Sequence, residues 1–513
     1  MFFRVFYVRF AQAITRSYKS YTKTRRDSLA LALNIEKLVE TLIAWDHEAD
    51  WFEFKQNRFD PEEFGEYVSA LANSAILAEK RCAYLVFGVA DDTHEVVGTT
   101  VDILRERVGG EAYVNWLARM LDPRLSITIE DGLCQGKRVV VVEIDPAYQK
   151  PVRFKQTAWV RNGPHKRKLA DFPDKERALW LATSRYTFER SMAARSVTPS
   201  DVLALLDVDP LFDLLGEPKP ATDAAVLDRL SREELIASDL QGGYDVTNLA
   251  VLAFAKDLGT TPSLARKAVR IVRYRGTDKL ETLGEHSPGK GYAAGFQAIL
   301  RTLLNVVPSH EEVIEGVRRS IPMIPELAIR EVLANALVHQ DLTTIGAGPL
   351  IEVYTDRIEV TNPGEPLVEP DRLIDAPPRS RNEALASLMR RLGICEERGS
   401  GIDKIVASIE RLALPPPLFR AAPGSTVVTL FAERPFIRMG TEERIRACYQ
   451  HACLHYAAAD PMSNMTLRVR LGLSQSQYPQ ASLVIRAAIE AGRIKPLAQD
   501  QGRRNARYIP FWA

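Results

Sequence analysis

The run from residue 331 to residue 341 constrains this chain more than any other stretch, because it places an acid and an amide one helical turn apart. Glu331 and Asn335 are separated by four positions, so in a helix both side chains project from one face. A carboxylate there can orient an attacking water, and an amide oxygen can ligate a hard cation such as Mg²⁺. The run therefore predicts a helix whose apolar side packs on a sheet and whose polar side carries chemistry.

Two glycine turns follow this helix. Asn362 and Gly364 come after an alternating strand, and the turn from Gly399 to Gly401 precedes a second helical pattern. The order of acid, amide and two glycine turns resembles the Bergerat ATP-binding fold of the gyrase and histidine-kinase group. The alternative is an ordinary amphipathic helix with two unrelated turns.

The closer resemblance is to the divergent ATPase domain described as similar to the RecG helicase C-terminus. The runs that carry it are REVLANALVHQD, DRIEVTNPGEPL and RLGICEERGSGIDKI. The resemblance implies ATP and Mg²⁺ as cofactors, with Glu331 as general base and Asn335 as the Mg²⁺ ligand. It also implies that Asn362 and Gly364 border the adenine pocket and that Gly399–Gly401 forms part of the phosphate lid.

The chain departs from this family at several positions, among them Glu365, which stands in place of a glycine and precedes Pro366. Asn362 stands where an aspartate usually receives the adenine amino group, and an asparagine can still accept through its carbonyl. The family usually reads His-Arg-Asp where this chain has His339, Gln340 and Asp341, so one phosphate-binding cation is missing. We assign His339 and Asp341 to the same pocket. ATP binding is expected, and turnover stays open.

A second set of motifs lies nearer the N-terminus. The set is Glu48-x4-Glu53-x-Lys55, Ala72-Asn73-Ser74, Phe87-Gly88-Val89 and PVRFKQTAWVRNG. It resembles the Schlafen-type AlbA_2 domain, whose nuclease members use three carboxylates to hold divalent ions. That triad maps onto Glu48, Glu53 and Asp91, with Mg²⁺ or Mn²⁺ as the metal, although Ala90 stands where the family's usual acid would be. The alternative is that Glu53 pairs with Lys55 in a structural strand and the domain binds without cleaving.

Basic residues crowd the end of this first domain. The candidate nucleic-acid contacts are Lys55, Arg153, Lys155, Arg161, Lys166, Arg167 and Lys168, with His165 among them. Phe154 and Trp159 alternate with them, which suits a surface that contacts phosphates and stacks bases. The expected partner is RNA, tRNA or DNA. A solvated strand face would show the same charge pattern.

The composition changes after Pro435. The pattern there predicts three helices and a hairpin, which is the outline of a winged helix. Residues Ser474 to Ala491 would be the recognition helix and Gly502 to Asn505 the wing tip. A helical cap used for dimerisation or packing would look similar.

One cysteine and histidine cluster in this region has an ordinary explanation. Cys448, His451 and His455 fall on one helical face, with Cys453 nearby but pointing elsewhere. Zinc sites usually draw ligands from two segments. Partly buried thiols and imidazoles are therefore the favoured interpretation, and a metal site is the alternative.

The chain as a whole is predicted to be an α+β multidomain protein. The expected parts are an N-terminal extension (1–35), an AlbA_2 α/β domain (36–175), a linker module (176–322), a Bergerat-fold α/β sandwich ATPase (323–435) and a winged helix (436–513). No apolar run approaches a membrane span, and the five cysteines contain no CxxC pair, so a reducing cytoplasm is expected. The basic start resembles a transit peptide, or it precedes the natural start.

Three functions compete at this point. The first is an ATP-regulated, metal-dependent nuclease that acts in prokaryotic antiviral defence. The second is an ATP-responsive winged-helix transcription regulator without nuclease activity, and the third is an ATP-driven oligomeric scaffold. Because Bergerat ATPases commonly dimerise when ATP orders their lid, a nucleotide-sensitive homo-oligomer is expected. The net charge of +1 means that any nucleic-acid binding has to come from a local patch.

Overall fold

The computed structural model describes residues 34–513 except 149, 186, 315–316, 378, 397–399 and 499–505. Most of the predicted N-terminal extension, Gly399 and the predicted wing tip therefore lie outside the described residues. The chain divides into two compact units. The N-terminal unit comprises Met1–Val202 and Asp223–Thr247, and the C-terminal unit comprises Leu203–Thr222 and Asn248–Ala513. No helix in the described ranges is long and apolar enough to cross a membrane.

The first part of the chain alternates strands and helices. The elements before residue 198 are α1 (Ile35–Ile43), β1 (Phe52–Lys55), α2 (Pro61–Leu77), β2 (Ala83–Phe87), β3 (Arg107–Val108), β4 (Glu111–Ala112), α3 (Tyr113–Met120), β5 (Leu121–Asp122), β6 (Ile127–Cys134), β7 (Lys137–Ile144), β8 (Arg153–Phe154), β9 (Thr157–Asn162), β10 (His165–Lys168), α4 (Pro173–Arg185) and β11 (Met192–Val197).

Two four-stranded sheets organise this part of the N-terminal unit. The first has the order β1-β2-β7-β6, with β1 parallel to β2 and the other neighbours antiparallel. The second has the order β10-β9-β8-β5, and its strands carry most of the predicted basic surface. The alternation from Trp51 to Lys55 predicts a strand, and the segments on both sides of Gly136 predict a hairpin. Strand β1 and the β6–β7 hairpin confirm both predictions.

Helix α2 packs against both sheets and is buried along most of its length. It begins with Pro61 after Asp60, whose side chain accepts from the Glu63 N–H at 2.8 Å, so the first turn is capped. On the opposite end, Asn73 accepts from the Val152 N–H at 2.7 Å and donates to the Trp159 carbonyl at 2.7 Å. The Ala-Asn-Ser motif therefore has a structural role, because its hydrogen bonds hold the β8 and β9 region on the helix.

The middle of the chain contributes elements to both units. These elements are α5 (Pro199–Leu205), α6 (Asp209–Leu215), α7 (Asp223–Arg232), β12 (Ile236–Ser238), β13 (Tyr244–Thr247), α8 (Asn248–Phe254), β14 (Arg270–Tyr274), β15 (Thr282–His286) and α9 (Tyr292–Val306). Within the N-terminal unit, β11, β13 and β12 form a three-stranded antiparallel sheet in that order.

The last part of the chain follows a short hairpin. Its elements are β16 (Ser309–Ile314), β17 (Val317–Pro322), α10 (Glu326–His339), β18 (Leu350–Val353), β19 (Arg357–Pro363), α11 (Glu383–Arg391), α12 (Gly401–Arg411), β20 (Leu418–Ala422), β21 (Ser425–Phe431), α13 (Thr441–Ala457), α14 (Asn464–Arg470), α15 (Tyr478–Glu490), β22 (Ile494–Pro496) and β23 (Tyr508–Pro510). The predicted α+β multidomain class is confirmed.

A six-stranded sheet is the centre of the C-terminal unit. Its order is β15-β14-β18-β19-β21-β20, and only β14 and β18 are parallel neighbours. Helix α10 packs on β19 and contacts α9, α11 and α12. The expected domain boundary at residue 323 needs correction, because β14 and β15 come from the region assigned to the linker and belong to this same sheet.

The sequence pattern from Ser309 to Arg319 predicts a helix, and this prediction is wrong. The structure has the antiparallel hairpin of β16 and β17 there, with Ser309 paired to Pro322 and Ile314 paired to Val317. The stretch is rich in charged and β-branched residues, so its local pattern suits either structure, and cross-strand pairing decides.

The end of the chain has the predicted order of three helices and a hairpin. Helices α13, α14 and α15 enclose an apolar core that includes Leu467 and Ile485, and β22 pairs antiparallel with β23. The recognition-helix expectation, Ser474 to Ala491, corresponds to a short 3₁₀ turn followed by α15. The name winged helix stays a prediction for this part.

Candidate nucleotide and nucleic-acid sites

Helix α10 places the predicted acid and amide together. Glu331 is buried, with only 2% of its surface exposed, and Asn335 is half-buried one turn later. Arg330 pairs with Oε1 of Glu331. Burial raises the pKa of Glu331 above its usual value, although the charge of Arg330 opposes that shift. A carboxyl with a raised pKa suits a general base that works near neutral pH.

The start of helix α12 lies directly against this pair. A Cβ atom on Gly401 would stand 3.1 Å from Oε2 of Glu331 and 3.6 Å from Nδ2 of Asn335. Glycine is thus what allows α12 to approach α10 so closely. The acid–amide pair and the glycine turn, which are far apart in sequence, thus lie together, and the N-terminal N–H groups of α12 are next to them. Gly399 lies outside the described residues.

The donor set at this point fits a magnesium ion that accompanies a nucleotide. Glu331 and Asn335 offer a carboxylate and an amide oxygen, which are the hard oxygen ligands that Mg²⁺ prefers. Asn335 would hold the ion, and the ion would neutralise charge on the phosphates. Glu331 keeps Oε2 for a water because its Oε1 is taken by Arg330.

The other glycine turn, at Gly364, lies at the end of β19. Gly364 has a φ of +98°, and a Cβ there would come within 2.8 Å of the Asp341 Cβ. The backbone N–H of Asp341 donates to the Pro363 carbonyl at 2.7 Å. The turn after β19 is therefore tied to the end of α10, and Gly364 is required by both its conformation and its close neighbour.

Asn362 is held by the structure itself. With its amide oriented so that both ends are satisfied, it donates to the Ala336 carbonyl at 2.9 Å and accepts from the Gln340 N–H at 3.1 Å. The side chain thus fastens β19 to α10. Its predicted place at the adenine pocket stays a prediction, since both amide atoms already have protein partners.

The surroundings of His339 and Asp341 lower the pKa of both side chains. Burial lowers the pKa of His339 to about 4, and the positive charges of Arg381 and Arg390 act in the same direction. Burial acts to raise the pKa of Asp341, but hydrogen bonds from Thr343 and nearby cations outweigh it and leave that pKa below its usual value. His339 is therefore neutral and Asp341 ionised near pH 7.

Sequence reasoning missed Arg381. Its Nη1 would lie 3.4 Å from a Cβ on Gly364, and its Nη2 donates to the Glu365 carbonyl. Gln340, which replaces the family's arginine, is fully buried and donates to the Tyr292 hydroxyl at 2.9 Å. Asn382, the residue after Arg381, donates to two carbonyls at the end of α10, both at 2.8 Å. Arg381 thus brings a cation to the edge where one seemed to be missing.

In the N-terminal unit, the first two predicted carboxylates share a buried arginine. Glu48 accepts from the Phe54 N–H at 2.7 Å and lies 3.1 Å from Nη2 of Arg161. Arg161 also pairs with Glu53, and its side chain is fully buried. Burial, followed by the charge of Glu53, raises the pKa of Glu48 to about 7, although Arg161 opposes this. These groups form a closed charge network inside the domain.

The third carboxylate meets Glu53 at a lysine. Nζ of Lys55 lies 2.5 Å from Oε1 of Glu53 and 3.3 Å from Oδ2 of Asp91. Burial acts against the charged amine, but Glu53 and Asp91 raise the pKa of Lys55 above its usual value. Glu53 and Asp91 thus converge on one cation position, which the ammonium fills. A divalent ion fits these oxygens if Lys55, whose side chain is 19% exposed, moves aside.

The predicted basic surface needs one correction. Arg161 is fully buried and paired with Glu48 and Glu53, so it is not available to a polynucleotide. Phe154 is also buried in the core and cannot stack on a base. Arg161 has exposed neighbours in the sequence, but its side chain points inward because two carboxylates pair with it.

The other basic residues remain on or near the surface in different states. Lys155 pairs with Glu62, and Lys166 lies 2.9 Å from Glu66. Across the described ranges no carboxylate lies within 4 Å of the three remaining exposed cations. These are Arg153, Arg167 and Lys168. They form the part of the basic surface that can accept phosphates without first breaking an ion pair.

Tyr67 is a further residue that the pattern did not reveal. Nζ of Lys55 lies 4.9 Å from the centre of its ring, and Nζ of Lys166 lies 4.4 Å from it. Burial and the charge of Glu53 raise the pKa of Tyr67 to about 12. The neutral ring thus links the buried carboxylate network to a cation of the basic surface.

These features define a protein that combines a nucleic-acid type domain with an ATPase-like domain, and comparisons with known families agree. Residues 48–170 match the family described as "Schlafen, AlbA_2", and residues 346–430 match the family described as "Putative ATP-dependent DNA helicase recG C-terminal". The chain carries a Schlafen AlbA_2 domain and a RecG C-terminal-like ATPase domain. Glu331 and Asn335 precede the second match, so their assignment depends on geometry.

Likeness to whole proteins adds little. No curated protein matches the chain. Among solved structures, the DIP2311 protein from Corynebacterium diphtheriae is similar at 19% sequence identity, with 89% of this chain and 92% of that chain covered and a TM-score of 0.39. A likeness this distant supports no inference about function.

Proposed function

We propose that this chain binds ATP and nucleic acid, and that the nucleotide regulates what the AlbA_2 domain does to the polymer. The observation that carries the ATP part is the contact of Glu331 and Asn335 with Gly401, which lies in the RecG C-terminal-like match. In this proposal Glu331 orients the attacking water and Asn335 holds Mg²⁺. The N–H groups at the start of α12 receive phosphate oxygens.

The nucleic-acid part of the proposal begins at the exposed cations of β8 and β10. Arg153, Arg167 and Lys168 would contact the backbone, and Lys155 and Lys166 would join them by exchanging Glu62 and Glu66 for phosphates. The match to the Schlafen family supports this surface. RNA, tRNA and DNA all offer the backbone charge that these residues require.

The finer proposal is that the AlbA_2 domain cleaves the polymer it binds. Glu53 and Asp91 would hold a divalent ion at the position that Lys55 fills, and Glu48 would stay anchored by Arg161. Such an ion supplies charge neutralisation and an activated water at a scissile phosphate. Displaced Lys55 would remain close enough to contact the same phosphate. The proposed setting is prokaryotic antiviral defence in the cytoplasm.

The exposed surface of the C-terminal helices favours protein contact over sequence reading. Met465, Val469 and Leu483 are exposed by 63%, 70% and 60%. On α15 the exposed face offers one cation, Arg486. Apolar exposure of this kind is typical of contact surfaces. It supports the proposed homo-oligomer more than a winged helix that reads DNA.

Cleavage of labelled tRNA, single-stranded RNA and duplex DNA tests the proposal, with Mg²⁺ or Mn²⁺ and with or without ATP. Glu53→Gln should abolish cutting while ATP binding persists, because it removes a metal-ligating charge in the other unit. Asn335→Ala should abolish the response to ATP while leaving polymer binding intact. Phage plaque counts on cells that express wild type or Glu53→Gln test the defence role.

The outcomes separate the alternatives. Cutting by wild type and Glu53→Gln alike would reject the carboxylates as the cause. Binding without cutting, on one polymer and under ATP control, would favour a regulator. Assembly that changes with ATP in the absence of any selective polymer binding would favour the scaffold.

A further inference from the structure

A cluster of side chains that can bind a metal lies between α12 and the first of the C-terminal helices, α13. Glu410 lies near the end of α12, and His451 and His455 lie one turn apart on α13. Each offers a ligand atom, and these atoms all lie within 4.8 Å of one another. Across the described residues this is the one such group of three or more. The ligands thus come from two segments, as metal sites usually require.

The two histidines are held in orientations that suit ligation. His451 is 3% exposed, its Nδ1 lies 2.5 Å from Oε1 of Glu410, and its Nε2 has no hydrogen-bond partner among the described residues. Nδ1 of His455 lies 2.8 Å from the Asp460 carbonyl, which leaves its Nε2 with a lone pair. For His455, a hydrogen bond that fixes Nδ1 and frees Nε2 is the usual outer support of a metal-binding histidine. For His451, Nδ1 faces Glu410 and is the nitrogen that can share an ion with Oε1.

A buried arginine lies beside Glu410. Oε2 of Glu410 lies 3.4 Å from Nε of Arg470, whose side chain is almost fully buried. No nitrogen of the Arg470 guanidinium has a hydrogen-bond partner in the described part of the chain, so the cluster is not a completed hydrogen-bond network as it stands. Arg470 thus lies beside Oε2 of Glu410 without a hydrogen bond to it, and Oε1 faces Nδ1 of His451.

We propose that Glu410, His451 and His455 form a binding site for a transition-metal ion of the zinc, cobalt or nickel class. Two imidazoles and one carboxylate match the ligands that these ions take, whereas Mg²⁺ prefers oxygen alone. Three protein ligands leave one position for water. The ion takes the place of the hydrogen between Oε1 and Nδ1, whose separation has to widen from 2.5 Å to roughly 3.4 Å to admit tetrahedral bonds of about 2.0 to 2.2 Å.

The ion would be a clamp between two functional parts. Helix α12 begins at Gly401, beside Glu331 and Asn335, and ends next to Glu410. A metal bound at its far end fixes α12 to α13 and so to the C-terminal helices. The positive charge of Arg470 opposes a divalent cation, so we expect binding weaker than at closed structural zinc sites.

Cobalt titration of the full chain, stripped with a chelator and free of nucleotide, tests the site. Wild type should bind one equivalent of Co²⁺ with the visible absorption of low-coordinate cobalt, and Zn²⁺ should displace it. His455→Gln should weaken this equivalent at least tenfold, and its side chain is 23% exposed, so folding should tolerate the change. His286→Gln, at an exposed position on β15, is the matched control and should bind as wild type does.

A second variant guards against loss of fold. Glu410→Gln keeps the shape of the side chain and its contact with His451 but removes the charge, and it should also weaken cobalt binding. Zn²⁺ should raise the melting temperature of wild type and of His286→Gln, but not of His455→Gln. Equal cobalt binding by wild type and both cluster variants, or no cobalt binding by a folded wild type, would overturn the proposal.

Discussion

His339 shows at the scale of one residue how burial near the nucleotide site sets a pH dependence. The pKa of His339 is lowered from 6.5 to about 4, first by burial and then by Arg381 and Arg390. Between these values the unfolded chain binds a proton that the folded chain does not bind. Folding stability is therefore complete above pH 6.5 and falls as the pH drops toward 4, by at most about 1.4 kcal/mol per pH unit from this group.

Urea unfolding at several pH values between 4 and 7.5 measures this slope. The slope of His339→Gln should be shallower than that of wild type, because glutamine does not titrate. His286→Gln, at an exposed strand position, should keep the wild-type slope. If His339→Gln and wild type lose stability in parallel as the pH falls, His339 is not buried in its neutral form.

Some residue positions could be predicted from the sequence and others could not. Glu331 and Asn335 could be placed on one face because a helix period fixes that relation locally. Arg161 could not be placed, because it is buried by a pairing with Glu48 that spans 113 positions. Asn362 was assigned to the adenine pocket, yet its amide atoms bind α10, a contact that no local pattern encodes.

At the scale of elements, helices and hairpins with strong local periodicity were predictable, and sheet membership was not. The hairpin at Gly136 follows from its β-branched flanks and its turn residue. The pairing of β14 with β18 is parallel and long-range, so nothing in Arg270–Tyr274 alone shows that it belongs to the sheet of the ATPase. The β16–β17 hairpin differs from the predicted helix for another reason, because its charged and β-branched residues suit either structure.

The contact of α12 with α10 leads to a prediction about nucleotide binding. Gly401→Ala would place a methyl group 3.1 Å from Oε2 of Glu331, so the acid or the helix start has to shift by a few tenths of an ångström. We expect ATP affinity to fall about tenfold, roughly 1.4 kcal/mol. Alanine favours a helix over glycine by up to about 1 kcal/mol, so stability should not fall.

Calorimetric titration with an ATP analogue, beside thermal melting, checks this prediction. Gly284→Ala is the matched control, because a Cβ at Gly284 has no atom within 4 Å. The control should bind the analogue as wild type does. Unchanged affinity in Gly401→Ala would mean that the nucleotide does not use the space between α10 and α12.

At the scale of the whole molecule, charge balance makes nucleic-acid binding a local matter. The chain has a net charge of +1, with 67 basic and 66 acidic residues, so no long-range field draws a polyanion to it. The exposed cations without a carboxylate within 4 Å, in the described part of the predicted surface, are Arg153, Arg167 and Lys168. A small patch of this kind predicts a modest salt dependence.

Filter binding of single-stranded RNA across a range of salt concentrations measures that dependence. Each phosphate contact contributes about −0.7 to the slope of log K against log salt, so the three cations of that patch predict a slope of roughly −2, and Lys155 and Lys166 would steepen it to roughly −3.5 by exchanging their carboxylates for phosphates. Arg167→Gln should make the slope shallower by about 0.7 and weaken binding at low salt. Arg420→Gln changes an exposed arginine on β20, in the other unit, and should leave slope and affinity unchanged. A slope that Arg167→Gln does not alter, or that Arg420→Gln alters equally, would move the polymer to a different surface of the molecule.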